Sequence, residues 1–351
     1  GLSLGWELVR AGAPVTILEA HDIGSGASHT AAAYLEPRLG GGKLRALENA
    51  SIAAWSDYAH ALEAASELAV DYRRDGMVRI AYEEMLEKSR REFDQRIEEG
   101  QRAEWVEGNA LKELEPALSD EVKAGIHMPG VHWVDGRKLC AALAVAIENA
   151  GGNIITHTPV VGVAQSAGGG LELQTPKGLI TAEKIVIACG MGSNDLAGMP
   201  SDIPKCRPVK GVMLGLAMDP ENPLINRLVK RPDGILCPRS DGRLLVGVTH
   251  EEGETSTVAS PEAIARLMAS AARAVPGVKQ LKFLEAACGI RTFIGDGLLR
   301  LGRSGENEGV YYSLSHAGAG FIRAPQIAKE LAQFIQSDDA ECAYISPFLK
   351  R

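Results

Sequence analysis

Nowhere in the 351 residues does an uninterrupted apolar run approach the about 18 positions of a membrane-spanning helix. Cys-x-x-Cys spacing is missing as well. The six cysteines, at positions 140, 189, 206, 237, 288 and 342, are scattered, which argues against a structural zinc site or a dithiol redox pair, and no metal is expected. Most of them sit in apolar segments such as 185–189 and 235–237, where a cysteine behaves as a small hydrophobe. This usage points to a reducing, cytoplasmic setting. Positive charge is not in excess: the net charge of −8 offers no basic surface to nucleic acid or anionic lipid. Internal repeats, low-complexity tracts and disordered linkers are all absent. What remains is an ordinary soluble globular composition, long enough for two domains.

The organising stretch is the first twenty residues. Leu4, Leu8 and Ala11 fall at helical spacing, and Gly12 stops the helix. The apolar run 15–18 reads as a buried strand ending on Glu19. This is the second half of a βαβ dinucleotide-binding unit. Gly1 takes the third glycine of a G-x-G-x-x-G turn, Gly5 lets the helix approach the sheet, and Glu19 accepts hydrogen bonds from ribose hydroxyls. The first strand of such a unit is central, and here its neighbours would be 15–18 and a late strand, 309–314. The expectation is therefore a fragment of a longer protein, lacking about ten residues at its start. It would carry a slot of about 9–10 Å beside 15–18 and bind its cofactor poorly.

The loop 21–37 is dense in small and hydroxyl-bearing residues suited to close approach to phosphates. A long amphipathic helix covers 43–69, and the charged stretch 83–100 reads as a solvated helix laced with i,i+4 pairs. Asp135 caps a helix that ends at Gly151, and Ser260 caps another with Pro261 in its first turn. Strands are expected at 71–82, 153–158, 184–189, 206–218, 234–249, 283–290 and 309–314. Glycine turns end two of them, at Gly190 to Gly192 and at Gly318 to Gly320. The second leads into a helix, a place to seat an anionic cofactor edge.

Taken in order, these blocks resemble the D-amino-acid oxidase and glycine oxidase family of FAD-dependent amine oxidoreductases, over nearly the whole chain. The resemblance rests on Gly1 to Glu19, on Gly26 to Pro37 and on Asp135 to Leu139. It continues through Pro208 to Gly211, Pro238-Arg239 with Asp241 to Thr249, Gly289 to Thr292 with Asp296-Gly297 and Gly302, and His316 to Gly320. It implies an α/β fold: a Rossmann-like FAD-binding domain plus an α+β substrate domain with a largely antiparallel sheet. The FAD domain would gather 1–68, 133–202 and 289–351, and the substrate domain 69–132 and 203–288.

The resemblance also implies site roles. Gly1 and Glu19 would hold the adenosine diphosphate and its ribose. Ser28 and the backbone of Ala32 and Ala33 would contact phosphate and flavin, Val161 would pair its backbone with adenine, and Gly190 and Gly192 would pass close to the nucleotide. Gly318, Ala319, Gly320 and Phe321 would hold the pyrimidine edge of the flavin. Arg291 would bind a substrate carboxylate through its bidentate fork, against a plainer reading as a structural arginine paired with an acid. His316 would stand beside the flavin without being a required base. Thr292 replaces the family's usual proline, Ile235 stands where glycine oxidases often have tyrosine, and Tyr34 where methionine is frequent. No cysteine occupies the context used for covalent flavin, so FAD would be non-covalent.

The implied activity is oxidation of glycine, sarcosine or a D-amino acid to an imine and then a keto acid, with O2 reoxidising the flavin and releasing peroxide. The alternatives are a dehydrogenase with another acceptor, a catalytically silent FAD-binding protein, and a nicotinamide enzyme. The expected partners are a small amino acid and an electron acceptor, and a homo-oligomer is compatible with the sequence.

Overall fold

Two rows of apolar side chains on opposite faces of one sheet decide how this chain is layered. The computed structural model describes residues 1–166, 168–295, 297, 299–337 and 341–350. Among them, nine strands form one large sheet, including Met77–Tyr82, Val122–Met128, Arg207–Ala217, Leu228–Arg231, Gly234–Pro238, Arg243–Gly247 and Lys282–Phe293. One face carries Val78, Val212, Leu214, Val229, Leu236 and Val246, and the helix Pro261–Ala274 covers it through Ala263, Leu267 and Ala271. That helix starts where the sequence placed it, because the Ser260 hydroxyl accepts from the Ala263 N–H at 3.1 Å. The other face carries Met77, Met213, Leu228, Ile235, Cys237 and Leu245, and packs on Ala32, Tyr34 and Trp133.

The large sheet is antiparallel except where Leu228–Arg231 runs parallel to Met77–Tyr82. The strand Lys282–Phe293 pairs with Arg207–Ala217 along its whole length. It runs without interruption through position 289, beside which the sequence placed a domain boundary. Asp296 of the sequence block lies outside the described residues.

The second layer system is built on parallel strands. Thr16–Leu18 pairs in parallel with Asn153–Ile155. Ile185–Ile187 pairs in parallel with Val310–Leu314, which pairs in turn with Arg300–Arg303. Ile185–Ile187 is therefore the edge of this sheet, and 309–314 is flanked on both sides, which corrects its expected place beside an open slot. An antiparallel three-stranded sheet, built from Gly162–Gln165, Leu171–Thr175 and Gly178–Ala182, is appended to it.

The first helix, Leu2–Arg10, buries two stripes. Leu4 and Leu8 face the last helix through Leu331 and Ile335. Trp6 and Val9 face the helices Lys43–Ser66 and Gly136–Asn149. Gly5 is the contact point with the strand: a Cβ there would lie 2.7 Å from the Ile17 Cδ1. The Asp135 carboxylate caps Gly136–Asn149, accepting from the Arg137 N–H at 2.8 Å and the Lys138 N–H at 3.1 Å.

The last helix, Gly320–Gln336, contains Pro325. Proline has no N–H, so the Phe321 carbonyl four residues earlier loses its helical donor. The indole N–H of Trp55, from the long helix, fills that place at 3.1 Å. Trp55→Phe keeps the ring and removes the donor. The expected cost is about 1–3 kcal/mol for a stranded carbonyl, read as a lower urea midpoint. An unchanged midpoint would mean the carbonyl has another partner.

Candidate active site

Three parallel strands end at one place, and their ends carry most of the residues singled out in the sequence. Glu19 follows Thr16–Leu18, Gly190 follows Ile185–Ile187, and His316 follows Val310–Leu314. The Gly1 amino group lies in electrostatic range of Glu19, Cys140 and Cys189 and of His316. The Gly1 Cα edge faces the Ala188 methyl, 3.8 Å from where a Cβ would stand. In α/β sheets this carboxyl end is where ligands bind.

The backbone at these ends is held in unusual conformations. Gly190 has φ of +57°, and three non-glycine residues, Ala33, Ser315 and Ala317, have φ of +49°, +60° and +51°. Left-handed non-glycine residues persist only where surrounding structure over-determines them. Around Ser315 to Ala319 that structure is visible: the Ala317 N–H reaches the Thr292 carbonyl at 3.2 Å, the Ala319 N–H reaches the His316 carbonyl at 3.0 Å, and the Ser315 hydroxyl receives the Ile294 N–H at 3.1 Å. The turn delivers the N-terminus of Gly320–Gln336 to the site. Ser28 lies on a short helix, Ala27–Thr30, within a loop that showed no helical signal.

Glu19 is partly exposed, and its carboxylate accepts only the His21 N–H, at 2.9 Å. Val161 departs from its expected role. Its N–H is donated to the Gln174 carbonyl at 2.8 Å, and its carbonyl accepts from the Ala197 N–H at 3.0 Å. The neighbouring Val160 has neither group engaged within the described residues. A single N–H cannot serve both a strand and a base, so the pairing expected at Val161 is corrected.

His316 is half-buried. Its Nε2 lies 3.0 Å from the Ser313 hydroxyl, and its Nδ1 is out of solvent with no partner among the described residues. Burial, aided by the Gly1 amino group and Arg323, pushes its pKa down to about 3. The ring is neutral at working pH and cannot serve as a proton store there. Below about pH 6.5 the unfolded chain protonates this histidine and the folded chain does not, so stability should fall as pH drops from about 6.5 toward 3. His316→Asn should remove about one proton from that pH dependence of unfolding between pH 6 and 4. Identical slopes for both proteins would place the proton uptake elsewhere.

Arg291 rises from the strand Lys282–Phe293, paired with Val209. Its two terminal nitrogens share one acceptor, the Thr249 carbonyl, at 3.3 Å each. No carboxylate pairs with it among the described residues, which removes the reading as a structural arginine neutralised by an acid. Burial lowers its pKa, opposed by nearby Tyr34. Gly211 makes room for it, since a Cβ at Gly211 would run into the Arg291 Nη2. The guanidinium lies beside the glycine turn, its Cδ 3.9 Å from the position of a Cβ on Gly318.

Arg239 belongs to the site, and no role was assigned to it from the sequence. It is buried and donates to the Ala32 carbonyl and to the Val134 carbonyl, both at 2.8 Å. A shallow surface cleft near the Lys350–Asp202 ion pair contains none of these groups. Among the described residues no disulfide is formed. Among the described residues no helix is long and apolar enough to cross a membrane.

The comparisons agree with the geometry. A family model described as DAO, FAD dependent oxidoreductase, matches residues 1–334. The chain is 26% identical over 351 residues to the glycine oxidase of Bacillus licheniformis, covering 99% of this chain and 93% of that protein. It is 28% identical over 344 residues to the glycine oxidase of Geobacillus kaustophilus (strain HTA426), covering 96% and 90%. The crystal structure of glycine oxidase from Geobacillus kaustophilus matches with a TM-score of 0.90 at 27% identity, covering 99% of this chain and 95% of that one.

Proposed function

The chain belongs to the DAO family of FAD-dependent oxidoreductases, and from that premise we propose that it oxidatively deaminates a small amino acid held by its carboxylate on Arg291. The supporting observation is the Arg291 guanidinium: partly buried, without an acidic partner, and beside the Gly318 turn. A desolvated cation of this kind is unfavourable unless an anion joins it, and its planar fork matches a carboxylate.

The groups around the strand ends have the chemistry FAD requires. The Glu19 carboxylate offers acceptors for ribose hydroxyls, and the free Val160 backbone offers a donor and an acceptor to adenine. Ser28, Ala32 and Ala33 would hold the phosphate and the flavin. Gly190 and Gly192 leave space for the nucleotide, and Gly318 to Phe321 bring backbone N–H groups to the ring edge. The partial positive charge of the last helix stabilises negative charge there. On this reading FAD is bound without a covalent link, on segments 1–68, 133–202 and the chain after the strand Lys282–Phe293, and the substrate lies against the large sheet. The scattered cysteines, with no disulfide among the described residues, support a reducing cytoplasm as the setting.

When bound, FAD supplies the acceptor for the hydride leaving the substrate α-carbon and passes the electrons to O2 with release of peroxide. Arg291 fixes the carboxylate and thereby the direction of the α-C–H bond. The apolar face of Met213 and Ile235 keeps water from the reacting centre. The amine lone pair drives formation of the imine, which hydrolyses to keto acid and ammonia, so no strong base is needed from the protein. The neutral His316 fits that requirement. The test is anaerobic addition of glycine, sarcosine, D-alanine and D-proline to FAD-loaded protein, followed by air and a peroxide assay. Bleaching of the flavin by at least one of them, with peroxide on aeration, is expected. Bleaching without peroxide would make the protein a dehydrogenase, and no bleaching would reject the deaminase reading.

A further inference from the structure

Lys230 is a second cation on the sheet face that carries Arg291. The strand register shows this directly. Arg291 faces Val209, two residues on Gly289 faces Gly211, and Ala287 faces Met213. Met213 faces Gly247, Gly247 faces Ile235, and Ile235 faces Lys230. Cross-strand neighbours share a face, so Arg291, Met213, Ile235 and Lys230 all point toward the segment 32–36.

Along that segment the alternate residues Ala32, Tyr34 and Glu36 meet the sheet. The Lys230 Nζ donates to the Tyr34 hydroxyl at 2.8 Å and stands 4.9 Å from the ring centroid. Next along the row, Arg79 pairs with Glu36 at 2.5 Å and with Glu92 at 3.0 Å. Arg96 pairs with the same two acids, at 2.9 and 2.8 Å. Two arginines and two carboxylates thus balance, and neither acid is left for Lys230. Among the described residues Lys230 has no carboxylate partner. The Tyr34 hydroxyl accepts the lysine proton, so its own proton has no acceptor there. Tyr34 is also in electrostatic range of Arg291.

We propose that Lys230 and Tyr34 hold a second anionic group of the substrate, making the preferred substrate a small dicarboxylic amine whose first carboxylate lies on Arg291. This rests on the deaminase reading above. Two cations on one sheet face, neither with an acid partner among the described residues, repel each other until anions arrive. A lysine and a tyrosine hydroxyl together offer the donors a carboxylate takes. A monocarboxylic amino acid would neutralise Arg291 and leave Lys230 uncompensated.

The experiment compares kcat/KM of the FAD-loaded protein for D-aspartate against D-alanine, and for iminodiacetate against sarcosine. Each pair differs by the second carboxylate. The dicarboxylic member should lead by about tenfold or more. Lys230→Gln should cut that ratio at least about tenfold, and Lys230→Arg should keep it within about threefold. Calorimetry with succinate and butyrate on the oxidised protein gives a readout free of turnover: succinate should bind more tightly, and only in proteins with a cation at 230. If D-alanine or sarcosine reduces the flavin and the dicarboxylic amines have no advantage, the Lys230 assignment is overturned and the deaminase reading stands. If none of the four reduces the flavin, the deaminase reading falls, and the succinate titration decides the anion site alone: binding that depends on residue 230 upholds it, and equal binding by Lys230→Gln overturns it.

Discussion

Replacing Arg291 with leucine should raise KM for the amino-acid substrate about 30- to several-thousand-fold while the visible flavin spectrum stays in place. Removing one partner of a desolvated charge pair costs about 2–5 kcal/mol, and each 1.4 kcal/mol is about tenfold in affinity. The cost to the free protein should be small, because the guanidinium makes only two long bonds of 3.3 Å to one carbonyl. Leucine fills much of the space and restores no donor. Gly211→Ala is the informative companion. It keeps the charge and pushes the guanidinium aside, since the added methyl would occupy the position of Arg291 Nη2. Both variants should lose affinity for carboxylate inhibitors as well as substrates. A folded, FAD-replete Arg291→Leu protein with unchanged KM would remove Arg291 from substrate binding.

The contrast between Arg291 and Lys230 shows where sequence reading ends. Arg291 was legible because Gly289-Ile-Arg291 matches a short contiguous block of the family that the sequence resembles. Lys230 and Tyr34 are 196 positions apart, and only the pairing of Leu228–Arg231 with Met77–Tyr82 brings the lysine under the 32–36 segment. Local signals likewise placed the helices: Asp135 and Ser260 act as caps because their short carboxylate and hydroxyl groups reach the first free N–H groups.

Other details have the same non-local cause. Charge at 83–100 marked a solvated helix laced with i,i+4 pairs, which Arg90–Asp94, Arg91–Glu87 and Arg96–Glu92 supply, but the burial of Arg96 on Leu86–Glu98 was not legible, because its partner Glu36 and the Pro37 carbonyl arrive from elsewhere. That the Val161 backbone is already taken was not legible either, because which backbone group a strand uses depends on its partner, here Gln174 and Ala197. The short helix Ala27–Thr30 was unreadable because four residues carry no periodicity.

Arg239→Met should lower both the denaturation midpoint and the affinity for FAD. Arg239 ties together three segments: the 31–33 backbone, the 134–135 approach to the helix Gly136–Asn149, and its own hairpin. Its Nη1 satisfies Val134 and its Nη2 satisfies Ala32, each at 2.8 Å, and its Nε stands 3.8 Å from the Asp135 Oδ2. Methionine matches the length of the stem and offers no donor. The Val134 carbonyl would be stranded, the Ala32 carbonyl would keep only the weak Cys237 thiol donor at 3.8 Å, and Asp135 would keep one guanidinium, that of Arg243 at 2.5 Å, beside its two capping N–H groups. Breaking a buried charged link of this kind costs about 3–5 kcal/mol.

The acid response supplies a second reading. Burial pushes the Asp135 carboxyl up, but Arg239 and Arg243 outweigh it and hold the group below its ordinary value. Its stabilising contribution is therefore complete above about pH 4 and lost as pH falls through the lower folded value. Without Arg239 that contribution shrinks, so the variant should unfold at a higher pH than the parent. The FAD effect follows from geometry. Ala33 holds φ of +49° with its carbonyl bonded to the Val134 N–H at 3.1 Å, and Arg239 anchors the residues on both sides of that bond. Releasing them lets Ala33 relax away from the cofactor, and an FAD dissociation constant at least about tenfold higher is expected. Arg239→Lys should fall between, because an ammonium can serve one of the two carbonyls. A folded Arg239→Met protein that binds FAD as tightly as the parent would show that the 31–33 segment keeps its shape without this clamp.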